Sequence, residues 1–127
     1  MGNTSVISRQ LKGSNRRVTE ADPSCCTPGQ VIAPEADAVQ MAALADRLRA
    51  LADSTRLRML DLLVQQSAPL CVCEITNLFT QQQPTISHHL RQLREAGLIN
   101  MEKRGTWSYY WATDEGRRAL AAAKSLL

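Results

Sequence analysis

The stretch from Pro69 to Gly97 constrains the fold of this chain more than any other. It holds two short segments with apolar residues at helical spacing, separated by the polar run at 80–83. Pro84 is placed to begin the second segment, and Gly97 is placed to end it with a left-handed cap. The pattern therefore predicts two short helices joined by a tight polar turn.

The same apolar spacing predicts two helices before this unit and one after it. The first is expected to begin at Pro34, the second to be capped by Asp53 or Ser54, and the last to be capped by Thr113. Between them, residues 98–112 form two β-type runs around a glycine-containing turn and predict a hairpin. The expected fold class is mainly α with a β-hairpin wing, that is, a winged helix-turn-helix.

Helical and strand periodicity also predict which side chains face the core. On the fourth helix, His88 is expected to point outward, whereas His89 lies beside the buried stripe and is expected to be partly buried and hydrogen-bonded. On the last helix, small apolar residues suit packing against a partner helix, so a homodimer through the first and last helices is expected. The residues predicted to face inward are Val72, Ile75, Leu78 and Phe79 on the third helix and Ile86, Leu90 and Leu93 on the fourth.

Composition bounds the organisation of the chain. It has 127 residues, of which 44% are hydrophobic, enough for one small core. Residues 1–33 lack sustained periodicity and are predicted to be a mobile tail, with the folded domain at 34–127. No apolar run approaches the roughly 20 residues of a membrane span, and no secretory signal is recognisable. These features predict a cytoplasmic protein with no membrane partner.

Charge is unevenly distributed along the chain. The net charge is +3, but residues 84–104 carry four basic and two acidic side chains, whereas residues 31–83 carry four basic and six acidic ones. A local basic surface on a helix and a hairpin fits double-stranded DNA, although ordinary solvated charge is the alternative. The residues expected to contact bases or phosphates are Gln83, Thr85, Ser87, His88, Arg91, Lys103 and Arg104.

Four cysteines occur in two clusters, Cys25 with Cys26 and Cys71 with Cys73. In a cytoplasmic chain such clusters indicate a metal or redox site rather than a disulfide framework. Thiolates are soft donors and select soft acceptors such as arsenite, Cd, Pb, Zn or Cu(I).

The spacing of Cys71 and Cys73 restricts how they can bind together. Side chains at i and i+2 point about 200° apart on a regular helix, so the pair can chelate one ion only from an extended first turn. The helix N-terminus is also expected to lower the pKa of both thiols.

Four stretches carry a family resemblance from about residue 38 to residue 120: LRALADSTRLRMLDLL, LCVCEI, QPTISHHLRQLREAGLI and RGTWSYYW. In this order they resemble the ArsR/SmtB family of metal-responsive repressors, and most of all its arsenical-responsive members. The resemblance implies a homodimer, not an enzyme. It is expected to bind inverted-repeat operator DNA when free of inducer and to leave the DNA when inducer binds.

The resemblance also bears on the inducer. Arsenite sensors of the family carry cysteines at the start of the third helix, and some add a third cysteine further along it. Thr76 stands at that position here, so the tail is expected to supply the remainder from Cys25, Cys26 or both. The family's zinc site on the last helix looks absent, since that helix offers only Asp114 and Glu115.

These points favour arsenite, or antimonite, as the inducer. Cd, Pb or Zn at the same cysteines and a thiol redox sensor are the alternatives. A thiol oxidoreductase and a permanent structural zinc site are less favoured by the same residues.

Overall fold

The computed structural model describes residue 29 and residues 31–127 of the chain. Cys25, Cys26 and most of the predicted tail lie outside the described residues, and the division at 33/34 stays a prediction. Residues 41–127 form one compact unit, which holds all the tertiary contacts described below. The elements in order are α1 (Ala38–Leu51), α2 (Ser54–Val64), β1 (Leu70–Cys71), α3 (Val72–Thr76), α4 (Gln83–Glu95), β2 (Ile99–Arg104), β3 (Trp107–Ala112) and α5 (Asp114–Lys124).

This order confirms the winged helix-turn-helix. Helix α1, however, begins at Ala38 and not at Pro34 as expected. The Asp37 carboxylate accepts a hydrogen bond from the Gln40 backbone N–H at 2.8 Å, which satisfies an otherwise unpaired donor of the first turn. The position of this capping side chain, rather than that of the proline, therefore marks the start of the helix.

Asp53, and not Ser54, caps helix α2. Its backbone is extended, and its side chain accepts the backbone N–H of Arg56 at 3.0 Å. This hydrogen bond is the main reason that the pKa of the Asp53 carboxyl is lower than usual, with the Arg56 and His89 charges acting in the same direction and partial burial opposing them. The cap therefore favours the ionised carboxylate.

Helix α4 begins and ends as its sequence predicts. Pro84 lies in the first turn, where its missing N–H costs nothing. At the other end Gly97 adopts φ +79°, and the backbone N–H of Leu98 donates to the carbonyl of Leu93 at 3.0 Å. Together with the bond from the Gly97 N–H to Arg94, this pairing is a Schellman cap.

The three strands form one antiparallel sheet in the order β1-β3-β2. The predicted hairpin is present, with Gly105 at φ +66° in its turn. Strand β1 was not predicted, because two residues are too few to show an alternating pattern. It pairs Leu70 with Tyr110 and Cys71 with Tyr109, and so joins the start of α3 to the wing.

A single apolar cluster holds α2, α3, α4 and the sheet together. The predicted inward-facing residues of α3 and α4 belong to it, except that Leu78 is 57% exposed and Phe79 is only half-buried. The prediction for Leu78 is wrong because α3 ends at Thr76, so helical spacing no longer applies beyond it. The largest fully buried side chains are Met59, Leu60, Leu63, Ile75, Ile86, Leu90, Leu93, Leu98 and Ile99.

Helix α5 packs against Leu98, just after the cap of α4, through a close backbone approach. A Cβ at Gly116 would lie 2.0 Å from the Leu98 carbonyl oxygen, so only glycine fits there. Thr113 caps α5 as predicted: its hydroxyl accepts the Gly116 N–H and donates to the Gly97 carbonyl at 2.7 Å. None of the helices in the described part of the chain has the length and apolar character needed to cross a membrane.

Candidate nucleic-acid interface and thiol site

Helix α4 presents a polar face because its apolar face is fixed in the core. Ile86, Leu90 and Leu93 are fully buried, which turns the opposite side of the helix to solvent. Gln83, Thr85, His88 and Arg91, all predicted to contact DNA, are exposed on the helix, and Ser87 is half-buried.

The two adjacent histidines differ as predicted. His88 is exposed, whereas His89 is half-buried and its Nδ1 lies 3.3 Å from Nη1 of Arg56. His88 is therefore available on the exposed face of α4, and His89 is part of the structure that supports it.

Arg56 is a supporting residue that the sequence analysis missed. Its guanidinium donates from Nε to the Ala50 carbonyl at 2.6 Å and from Nη1 to the Gln92 side chain at 2.9 Å. It therefore ties the end of α1 to the middle of α4. No sequence signal could identify it, because an arginine in a first helical turn shows nothing about partners more than thirty residues away.

The tip of the wing carries the other two predicted DNA contacts. Lys103 and Arg104 are both exposed. Arg104 pairs with Glu102 at 3.2 Å, and its guanidinium lies over the Tyr109 ring, 4.7 Å from the centroid. Arg104 is thus held in place by its neighbours, whereas the Lys103 side chain makes no such contact within the described residues.

The structure brings Cys71 and Cys73 together at the start of α3. Cys71 ends β1 with extended backbone and caps α3, and Cys73 lies in the first turn. Their sulfur atoms are 2.7 Å apart, with Cys71 buried and Cys73 exposed. The expectation that an extended entry puts both thiols on one side is confirmed.

The protonation behaviour of this pair differs from the expectation. The pKa of the Cys73 thiol is raised, first by its hydrogen bond with Cys71 and then by desolvation. The predicted lowering by the helix N-terminus is therefore wrong for Cys73. Helix α3 has only five residues, and its free backbone donors are partly used already. The Glu74 carboxylate accepts the Cys71 N–H at 2.8 Å, and the Cys71 sulfur accepts the Cys73 N–H at 3.4 Å.

The thiol pair does not form a complete metal site by itself. Across residue 29 and residues 31–127, no cluster of three or more His, Cys, Asp or Glu side chains could hold a metal ion. Thr76, at the position where some relatives were expected to carry a cysteine, donates its hydroxyl to the Val72 carbonyl at 2.8 Å. Two thiol donors suit a soft acceptor that takes its remaining ligands from elsewhere.

A long apolar groove runs between α1 and α5. It encloses about 650 Å³ and is lined chiefly by Leu44, Leu48, Leu51, Ala119, Ala122 and Leu126. Leu44 and Leu48 are 46% and 53% exposed, so the apolar stripe of α1 is largely uncovered in the single chain. At the edge of the groove Arg47 pairs with Glu115 at 2.6 Å.

Comparison with known proteins agrees with this geometry. Residues 53–101 match the family described as bacterial regulatory protein, arsR family. An uncharacterized HTH-type transcriptional regulator of Methanocaldococcus jannaschii is 42% identical over 71 residues, which are 56% of this chain and 79% of that protein.

The names of two further relatives refer to resistance to arsenic and to cadmium. The arsenic resistance transcriptional regulator ArsR1 of Pseudomonas putida is 50% identical over 62 residues, 49% of this chain and 48% of that protein. A cadmium resistance transcriptional regulatory protein CadC homolog of Staphylococcus aureus is 37% identical over 67 residues, 53% of this chain and 54% of that protein. The matched segment thus spans about half the length of each of these two relatives.

Among solved structures, the chain is similar to the winged helix-turn-helix DNA-binding domain of a possible ArsR-family regulator from Mycobacterium bovis, which is described as homodimeric. The TM-score is 0.63 with 28% identity, and the match covers 75% of this chain and 89% of that one.

Proposed function

This chain belongs to the arsR family of bacterial regulatory proteins, DNA-binding regulators and not enzymes, and from that premise we propose a specific function. It is a transcriptional repressor that binds operator DNA as a homodimer when free of inducer. It leaves the DNA when arsenite, or antimonite, is bound by cysteine thiolates. The observation that carries the proposal is the meeting of the Cys71 and Cys73 sulfurs, 2.7 Å apart, at the start of α3, the first helix of the helix-turn-helix.

DNA contact is assigned to α4 and the wing. Helix α4 enters the major groove, where Gln83, Thr85, Ser87 and His88 reach base edges or phosphates, and Arg91 reaches the backbone. Lys103 and Arg104 contact phosphate or the adjacent minor groove. Apart from the half-buried Ser87, the exposed positions of these side chains support this assignment, as do the Arg56 hydrogen bonds that hold α4.

The homodimer is supported by the uncovered groove between α1 and α5. Leu44 and Leu48 remain about half exposed in the single chain, and pairing with a second copy buries them. The homodimeric M. bovis domain is consistent with this arrangement. A two-fold dimer presents two α4 helices, so the operator is an inverted repeat.

The inducer is bound by Cys71 and Cys73 with Cys25, Cys26 or both from the tail. The chain is accordingly divided into a tail, residues 1–33, which supplies these ligands, and a DNA-binding domain, residues 34–127. The arsenic-related P. putida relative supports arsenite, while the cadmium-related S. aureus relative keeps Cd, Pb and Zn as the second candidate with the same cysteines. A redox-sensing repressor is the third.

Release follows from the double role of Cys71. Its sulfur caps α3 and packs in the core, so ligation removes that side chain from both places. Helix α3 precedes α4 by a short turn and packs in the same core. A changed α3 entry therefore misplaces the DNA-contacting face of α4.

The test is a DNA-affinity titration under reducing conditions. The wild-type chain and the double variant C71S/C73S are titrated with a labelled inverted-repeat operator, with and without arsenite. The wild-type chain should lose affinity by about 10-fold or more, in the usual range of allosteric coupling, whereas the double variant should bind DNA normally and not respond.

Other inducers give different results in the same assay. Release by Cd, Pb or Zn but not by arsenite supports the second candidate. Release by peroxide alone, with no response to any metal, supports the redox sensor. Normal arsenite release by C71S/C73S contradicts the proposed site.

A further inference from the structure

A row of side chains crosses the sheet from the thiol pair to the wing. Cys71 lies opposite Tyr109, and Tyr109 lies opposite Glu102 on its other side. Residues directly opposite in antiparallel strands project from the same face, with Cβ atoms about 4.5–5.5 Å apart. The thiol, the phenol ring and the carboxylate are therefore consecutive neighbours on one face of the sheet.

The far end of this row holds the wing-tip arginine. The Arg104 guanidinium lies 4.7 Å from the centroid of the Tyr109 ring. Its Nη2 is 3.2 Å from Oε1 of Glu102. The direction of Arg104 thus depends on the two side chains at the end of the row, and Tyr109 contributes through the face of its ring.

The near end of the row is the part that ligation changes. Cys71 is buried and Cys73 is exposed, so an ion shared by both thiols is reached from the side of Cys73. The two sulfurs are only 2.7 Å apart, whereas two thiolates each about 2.3 Å from one ion lie farther apart, so ligation must move the Cys71 sulfur. Strand β1 contains only Leu70 and Cys71, so two residue pairs alone hold this strand against β3.

From this arrangement we propose that Tyr109 is a positioning residue that transmits occupancy of the thiol site to Arg104. When the Cys71 sulfur moves on ligation, the half-buried Tyr109 ring loses its neighbour and shifts. Arg104 then loses the surface that directs it toward DNA. The wing is released by this route in addition to the displacement of α4, and the inference rests on the proposed function of the thiol site.

Tyr110 provides an internal contrast. It follows Tyr109 directly, but strand alternation places it on the opposite face of the sheet. There it is buried, and it pairs with Leu70 on one side and with Met101 on the other. Its ring has a packing role, and the row from Cys71 to Arg104 does not include it.

The experiment compares Tyr109→Leu with Tyr109→Phe in the full chain. Phenylalanine keeps the ring face for Arg104, and leucine removes it. Arsenite binding is followed by protection of the thiols from a chromogenic disulfide reagent, and operator affinity is measured with and without arsenite. The coupling is the ratio of the two operator dissociation constants.

Y109L should bind arsenite normally but bind inducer-free operator at least about fivefold more weakly than wild type, because Arg104 loses the ring that directs it, and its coupling ratio should fall by the same factor. Y109F should keep the wild-type ratio. A wild-type ratio in Y109L overturns the role of Tyr109 while leaving the proposed function intact. Arsenite binding without DNA release in the wild-type chain overturns both.

Tryptophan fluorescence keeps the inference testable even if Y109L does not fold. Trp107 and Trp111 lie on the same strand face as Tyr109, so a shift of that ring changes their surroundings. In the wild-type chain, arsenite should change tryptophan emission with the same stoichiometry as thiol protection. Unchanged emission at full occupancy overturns the proposal.

Discussion

Helix α4 and the entry to α3 adjoin each other in the fold but are held in different ways. Helix α4 has thirteen residues, three fully buried anchors and a Schellman cap at its end. Helix α3 has five residues, and its first turn is held by a cysteine sulfur and one glutamate. The part of the molecule assigned to DNA contact is thus well fixed, whereas the part assigned to the inducer is held weakly.

That difference suits a sensor. Segments that move in response to a ligand come from the less stable parts of a protein, because a ligand can shift only an equilibrium that its binding energy can reach. Cys71 belongs at once to a two-residue strand, a helix cap and the core, so a change at this residue affects all three.

The largest expected effect is on the anchors of α4. Leu90→Ala should lower the free energy of unfolding by about 3 kcal/mol, since it removes a fully buried leucine and leaves a cavity. Leu78→Ala, at a site 57% exposed near the end of α3, should change it by less than about 0.5 kcal/mol. Urea denaturation of both variants measures the contrast. Similar losses would remove the distinction between the two regions.

The cap of α4 should give the next largest effect. Gly97→Ala places a side chain at φ +79° and should cost about 1–2 kcal/mol, the usual penalty for left-handed backbone. Gly97→Asn should cost less, because asparagine tolerates this conformation. Thermal unfolding monitored by circular dichroism provides the comparison, and equal losses for alanine and asparagine would rule out backbone conformation as the cause.

Acid should reveal the contribution of the α2 cap. Because the pKa of Asp53 is lower in the folded chain, the unfolded chain takes up the proton first as pH falls. The stabilisation by the ionised cap is therefore complete above the ordinary carboxyl pKa of 3.8 and disappears as pH falls through the lowered value.

Asp53→Ala should cost about 1 kcal/mol at pH 7, while Asp53→Asn keeps a capping oxygen and should cost less. Denaturation across pH 2–7 should show a shallower acid loss in D53N than in wild type. An identical pH profile in both proteins would assign the acid sensitivity to other carboxylates.

Apart from the Leu78→Ala control, the smallest expected effect on global stability is at the entry to α3. Glu74→Ala removes the hydrogen bond to the Cys71 N–H and should cost about 0.5–1 kcal/mol. Hydrogen exchange should quicken at Cys71 and Cys73 and stay unchanged at Leu90. Glu74→Gln, which keeps an acceptor oxygen, is the matched control. Faster exchange spread over α4 as well would show that the two regions are not separate.

Much of the fold was predictable because its signals are local. The Gly97 cap, the Thr113 cap, the hairpin and the contrast between His88 and His89 each depend on residues a few positions apart in the chain. Helical and strand periodicity operate over the same short range, so they predict these features without knowledge of the rest of the fold.

The candidate site was predictable only in part. That Cys71 and Cys73 share one side follows from their spacing at a helix start, and the structure confirms it. The raised pKa of Cys73 could not be foreseen, because it depends on the distance between the two sulfurs, which the spacing does not set.

By itself, the sequence determined the winged helix-turn-helix, the polar face of α4 and the place of the thiol pair, since each depends on neighbouring residues. Tertiary structure alone decided the Arg56 hydrogen bonds, the pairing of β1 with β3 and the row from Cys71 through Tyr109 to Arg104. Of these contacts, the Arg56 hydrogen bond to Gln92 and the pairing of Cys71 with Tyr109 join residues more than thirty positions apart. Which distant segments meet is set by how the whole core packs, and no local pattern of residues records it.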